Sequence, residues 1–187
     1  MGMTKIHLGC GHHKLKGWVN IDLDRTCKPD VIADLGQDLP IKSQSVDYIH
    51  SEDFVDQLAL EKAYRFFREC HRVLKKGGVM RILTPDLRQL AKRYVDGDQR
   101  LLQLWDEQVA VPLKTRSLCE LFNLGVRQWG HTFLYDGETL AYVLKECGFE
   151  PRRVDFQQSE VSELRGLDIR SPEKSVSLYY EGDRKET

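Results

Sequence analysis

The sequence predicts one α/β domain built on a mostly parallel sheet. Three observations lead there. Strand and helix signals alternate over the first 95 residues, each early strand ends in a glycine-rich or polar cluster, and a chain of 187 residues suits one hydrophobic core. Hydrophobic residues make up 41% and charged residues 30%, so the chain is rich enough in core formers to exclude disorder as a class. With 28 Lys plus Arg against 29 Asp plus Glu, the net charge of −1 provides no global basic field for nucleic acid. No apolar run approaches the roughly 18 residues of a membrane span. The opening Met-Gly-Met-Thr-Lys leads straight into a strand-like run, and no signal peptide is expected.

The first strand is Lys5 to Leu8, ending in Gly9-Cys10-Gly11. The second is Trp18 to Asp22, the third Asp30 to Asp34 and the fourth Val46 to His50. A helix follows, because Leu60, Ala63, Phe67, Cys70 and Leu74 recur at helical steps. Gly77-Gly78 is expected to end it, with Lys75 and Lys76 in the last turn. Val79 to Thr84 is a fifth strand stopped by Pro85, and Leu87, Leu90, Ala91 and Tyr94 give a short helix. Residues 96–130 form an expected helical cap. Leu101, Leu102, Trp105 and Val109 share a helix broken at Pro112, and a second helix covers Ser117 to Leu124. Asp136 caps a helix through Leu140, Val143, Leu144 and Cys147, closed by Gly148. Arg153 to Phe156 is a short strand, and Val176, Leu178 and Tyr180 mark the last. Residues 181–187 are expected to fray.

Five cysteines, Cys10, Cys27, Cys70, Cys119 and Cys147, show no CxxC spacing and suit reduced thiols in a cytoplasmic protein. Zinc on Cys10, His12 and His13 is weighed against solvated loop histidines, and no metal is expected.

Gly9-Cys10-Gly11 follows a strand, where glycine permits positive φ and close approach of a ligand. Asp22 ends the second strand, where a carboxylate accepts hydrogen bonds from both hydroxyls of a ribose. Only seven residues, His12 to Trp18, separate Gly11 from Val19. A regular crossover needs roughly ten to twelve. The connection is therefore a loop, a helix N-terminus for a diphosphate is poorly provided, and a ligand without phosphate is favoured over a dinucleotide.

Six segments in order then resemble the class I S-adenosylmethionine-dependent methyltransferases, similar to small bacterial type-11-like members. They are Leu8-Gly9-Cys10-Gly11; Gly17-Trp18-Val19-Asn20-Ile21-Asp22; Ala33-Asp34-Leu35 with Leu39-Pro40; Ser45 to His50; Arg68 to Gly78; and Leu144 to Phe149. The resemblance implies a Rossmann-like, seven-stranded sheet with the last strand antiparallel, and S-adenosylmethionine as cofactor. By position it implies that Gly9, Cys10 and Gly11 pass under the methionine part and that Asp22 binds the ribose. Asp34 and Leu35 would meet the adenine, and Ser51 and Glu52 the methionine amino group. Many relatives carry Glu-His or His-His where this chain has Asp56-Gln57, a departure that weakens the carry-over of a catalytic role to those two.

For a hydroxyl acceptor the candidate bases are His131, before the helix capped by Asp136, and His50, at the end of the fourth strand. His71 reads as structural. Asp53, Asp86, Arg88 and Tyr135 are weaker candidates, with Pro85 and Asp86 read as the start of the next helix and Asp86 as favouring its N-terminal dipole. Arg127, Trp129 and Arg152-Arg153 are candidates for an anionic substrate. The expected function is methyl transfer, O- or N-directed, to a small molecule such as a sugar or natural-product intermediate. A non-catalytic cofactor-binding module and a nicotinamide-dependent oxidoreductase are the rivals.

Overall fold

The computed structural model describes residues 2–103 and 115–185. The strands are β1 (Lys5–Leu8), β2 (Val19–Asp22), β3 (Val31–Ile32), β4 (Val46–Glu52), β5 (Leu74–Pro85), β6 (Phe149–Arg153) and β7 (Ser177–Arg184). The helices are α1 (Leu60–Val73), α2 (Leu87–Val95), α3 (Leu118–Arg127) and α4 (Gly137–Glu146). The seven strands form one sheet in the order β3-β2-β1-β4-β5-β7-β6. Pairing is parallel from β3 through to β5, and β7 runs antiparallel to both neighbours.

One face of the sheet is apolar. Ile6, Leu8, Ile49, Met80 and Ile82 pack with Ala63, Phe66, Phe67 and Cys70 of α1 and with Leu140, Val143 and Leu144 of α4. Alternation along the strands puts a different set on the other face. Strand register lines up Asn20, His7, His50, Arg81, Glu181 and Arg152 in one row across six strands. The first five are buried. No helix joins β1 to β2, as the short connection requires, and this face is sealed by irregular chain instead. Leu15, Trp18, Val161, Leu164 and Leu167 cover it beside Tyr48 and Val79.

A row of charges under a covering segment must pair internally, because an unpaired buried charge is costly. Arg81 donates to Asp168 from Nε at 2.6 Å and from Nη2 at 2.5 Å. It also donates to Glu181 at 3.0 Å and to the carbonyls of Asp155 and Gln158. The segment between β6 and β7 is thereby fixed to the sheet.

β3 is shorter than expected, and β4 and α3 run on to Glu52 and Arg127, while three further boundaries differ more. The helix before β5 ends at Val73, not at Gly77-Gly78, because Leu74 already pairs with Val46 and Lys75 bonds Asp47 at 2.7 Å. Gly78 is needed for close approach instead, since a Cβ there would meet the Lys75 carbonyl at 2.9 Å. The strand placed at Arg153 to Phe156 begins earlier, at Phe149, because Gly148 (φ 93°) turns the chain directly into the sheet and Phe149 is fully buried. The expected frayed end is part of β7 as far as Arg184, held by the Glu181–Arg81 ion pair.

Of the expected cap, Leu101, and Leu121 of α3, pack against Leu90 of α2, which precedes the cap. Ser117 caps α3 by accepting from Glu120 N–H. Trp105, Val109 and Pro112 lie outside the described residues.

Candidate functional site

Strand order reverses at β1, which lies between β2 and β4, and in open α/β sheets the crevice beyond such a point takes ligands. The Gly9 to Gly11 loop lies at that edge. Gly9 has φ 68°, and a Cβ there would lie 2.7 Å from Phe54, so only glycine fits. Gly11 has φ 48°, and the space where its Cβ would stand is open. Asp22 Oδ2 accepts from Gly11 N–H at 2.8 Å and Oδ1 from Asp24 N–H at 2.9 Å. The carboxylate is thus oriented by two amides while each oxygen keeps a further lone pair. Asp34 is exposed beyond β3 and accepts from Gly36 N–H at 2.9 Å, whereas Leu35 is a core residue.

Cys10 is buried, and burial with Asp22 nearby pushes its thiol up to about 11, so it is an inert neighbour of the loop. Ser51 is buried, and its Oγ has no hydrogen-bond partner among the described residues. Glu52 is engaged by protein. Its carboxylate accepts from Ile169 N–H at 3.1 and 3.2 Å and from Arg170 N–H at 2.9 Å. Burial pushes it up to about 7 despite those amides.

His50 does not face an acceptor pocket. It is fully buried in the polar row, with its ring 5.0 Å from His7 and 6.4 Å from Trp18. Burial lowers its pKa, and Nε2 stands 3.9 Å from Asp168. Alternation is the reason: His50 shares a face with Arg81 two residues before β4 ends.

His131 is brought to the end of β4, against Asp56. Its Nδ1 lies 2.8 Å from the Gly125 carbonyl and its Nε2 3.2 Å from Asp56 Oδ2. A carbonyl accepts only, so Nδ1 carries a proton. Asp56 is fully buried, and its Oδ1 accepts from Thr84 Oγ1 at 3.1 Å. Its backbone carbonyl accepts from Thr132 and Phe133. Burial, with Asp53 adding to it, raises the Asp56 carboxyl to about 6, and His131 opposes the rise. The hydroxyl of Tyr135 is buried with no hydrogen-bond partner among the described residues, and burial, then Asp56, raises its pKa. Both nitrogens of His131 are therefore engaged, and the ring straps the 128–133 turn onto the residues after β4.

The weaker candidates scatter. Asp86 caps α2 by accepting from Gln89 N–H at 3.1 Å. Arg88 pairs with Asp136 at 2.9 Å. Arg127 pairs with Asn123 on its own helix. Trp129 is half exposed beside His131. Arg152 reaches Glu181 at 3.1 Å rather than solvent alone, while Arg153 is exposed. His71 packs edge-on to Phe149. Among the described residues no group of three or more His, Cys, Asp or Glu is arranged to hold a metal. Arg81, Asp168 and Arg170 were missed, although an arginine inside the apolar run Val79-Met80-Arg81-Ile82-Leu83 is a readable signal of a buried partner.

Residues 16–82 match the family described as a methyltransferase domain. With the strand order above, that decides the architecture. The chain has the class I S-adenosylmethionine-dependent methyltransferase fold. Solved structures agree. A Thermotoga maritima protein described as a SAM-dependent methyltransferase, possible histamine N-methyltransferase, is 17% identical with a TM-score of 0.57, over 99% of this chain and 84% of that one. A Mesorhizobium loti S-adenosylmethionine-dependent methyltransferase is 16% identical with a TM-score of 0.58, over 98% and 91%. A Haloferax volcanii putative methyltransferase, solved in complex with the Trm112 methyltransferase activator, is 14% identical with a TM-score of 0.59, over 100% and 83%. No curated protein matches.

The cofactor of this methyltransferase fold is S-adenosylmethionine, and the residues present fit it. Open space stands over Gly11, Asp22 offers oriented oxygens at the end of β2, and Asp34 offers an exposed one beyond β3.

Proposed function

We propose that the chain transfers a methyl group from S-adenosylmethionine to the oxygen or nitrogen of a small molecule, such as a sugar or natural-product intermediate. The observation that carries this reading is the Asp22 carboxylate clamped to Gly11 and Asp24 at the switch point of the sheet. The bound cofactor supplies the electrophilic methyl and its own leaving group. The Gly9 to Gly11 loop, Asp22, Asp34 and Leu35 would hold it, with Cys10 and Ser51 as buried supports of the same strand ends. In-line displacement leaves the protein mainly the work of positioning. His131 would take a proton only after its ring releases Asp56, so it is assigned as a base held in reserve. No nucleic acid or membrane enters this reading. Among the described residues, no helix is long and apolar enough to cross a membrane. The free thiols favour a cytoplasmic setting.

A second reading, a cofactor-binding module without turnover, is favoured by one observation: Asp56, Thr84 and Tyr135 are wholly buried beneath His131. A nicotinamide dinucleotide is disfavoured, since residues 9–18 contain no helix whose N-terminus would take a diphosphate.

Isothermal titration calorimetry with S-adenosylhomocysteine, against NADH, tests the reading. Micromolar binding at one site per chain is expected, with affinity at least about tenfold lower in Asp22→Ala, which loses charge-assisted acceptors. Preferential NADH binding would overturn the assignment. An acceptor screen with labelled methyl groups, in the wild type and in His131→Ala, then separates enzyme from silent binder.

A further inference from the structure

The segment that seals the polar face also reaches the cofactor edge, and it brings a cation there. Extending the β1–β4 register of His7 with His50 by two residues puts Gly9 level with Glu52. Glu52 binds the amides of Ile169 and Arg170, which places the Arg170 backbone at the same end of the sheet as the glycine loop. Its backbone is fixed on three sides. Asp168, two residues earlier, is locked to Arg81, the Arg170 N–H is held by Glu52, and the Arg170 carbonyl accepts from the Tyr179 hydroxyl. The side chain is 56% exposed, and among the described residues its one hydrogen bond runs from Nε to Asp53 Oδ2 at 2.6 Å. The two Nη groups therefore form an open, oriented fork. Of the two lysines in the β1–β2 connection, Lys14 and Lys16, Lys14 is turned away to Asp30 and the Lys28 carbonyl.

Resting on the cofactor reading above, we propose that Arg170 binds the α-carboxylate of the cofactor's amino-acid end. An α-amino acid carries an ammonium and a carboxylate two bonds apart. Asp53 sets negative charge next to the Arg170 guanidinium, the matching alternation of sign. The planar fork suits a carboxylate in a way that a lysine does not. Glu52, which the resemblance assigns to the ammonium, then has a second duty: its oxygens hold the backbone that aims Arg170.

Calorimetry with two probes tests this. S-adenosylhomocysteine has the amino-acid end, and 5′-methylthioadenosine keeps the adenosine and thioether without it. Arg170→Gln is expected to weaken S-adenosylhomocysteine roughly tenfold or more while leaving 5′-methylthioadenosine unchanged, and Arg170→Lys is expected to recover only part of the loss. Equal weakening of both probes, or no change in either, overturns the assignment of Arg170 and leaves the cofactor reading intact. A wild-type chain that binds neither probe overturns both.

Discussion

Asp168→Asn is the substitution that interrogates the sheet's polar face most directly. It keeps the shape of the side chain and removes the charge that faces Arg81. The carboxylate accepts two hydrogen bonds from Arg81 and one from the Gln157 N–H at 2.6 Å, all out of water. An amide has one acceptor oxygen, so its NH2 would face a donor. Burial alone would raise the Asp168 carboxyl, but the hydrogen bonds and charge of Arg81 hold it at about 2 against an ordinary 3.8. At about 1.4 kcal/mol per pH unit, that difference is worth about 2.5 kcal/mol of folding free energy. Removing one partner of a buried pair typically costs 3–5 kcal/mol, because the other charge remains, and Glu181 compensates Arg81 only in part. The expected loss is therefore about 2.5 to 5 kcal/mol. Urea unfolding at pH 7, with a slope of about 2 kcal/mol per molar, should show a midpoint lowered by about 1 to 2.5 M at constant slope. A carboxylate with a depressed pKa contributes above its unfolded value and loses that contribution as pH falls toward the folded one. The gap between wild type and variant should then shrink by about 1 kcal/mol from pH 6 to pH 3. A loss under about 1 kcal/mol at pH 7, or a gap independent of pH, would refute the reasoning.

Other outcomes follow from the same contacts. Glu52, raised to about 7 by burial, favours the folded state when protonated and loses that advantage as pH climbs from its ordinary 4.5 through 7. Glu52→Gln, neutral throughout, should gain on the wild type by up to about 3 kcal/mol between pH 4.5 and 8, and a flat difference in urea midpoints argues against it. Gly9→Ala sets a Cβ 2.7 Å from Phe54 at positive φ and should cost about 2–4 kcal/mol. Gly11→Ala, with open space and only its φ of 48° to strain, should cost about 1 kcal/mol, and equal losses would show that Phe54 is not a rigid neighbour.

The elements near the switch point were legible because local rules dictate them. Lys5 to Leu8, the turn at Gly9 to Gly11 and the acid at Asp22 are spaced by a loop too short for a helix, and the structure keeps that spacing. The Asp136 cap and the Gly148 stop on α4 are equally local. The start of β5 was misread because Lys75-Lys76-Gly77-Gly78 suits a helix end as well as a strand bulge. Pairing with Val46 and Asp47, far back in the chain, made the choice. His50 looked like a site residue from its place near a strand end. Only the row it shares with His7 and Arg81 shows that it faces the buried side.

By itself the sequence determined the α/β alternation, the helix-free first connection and the glycine and carboxylate positions at the edge of the sheet. Periodicity and chain length act within a few residues and need no partner. Only the tertiary structure decided which charges meet. Arg81 with Asp168, His131 with Asp56 and Glu52 with the Ile169–Arg170 amides join residues 87, 75 and 117 to 118 positions apart. A buried charge must find an opposite charge or a donor, but which one it finds depends on strand order and on the face to which alternation turns each side chain.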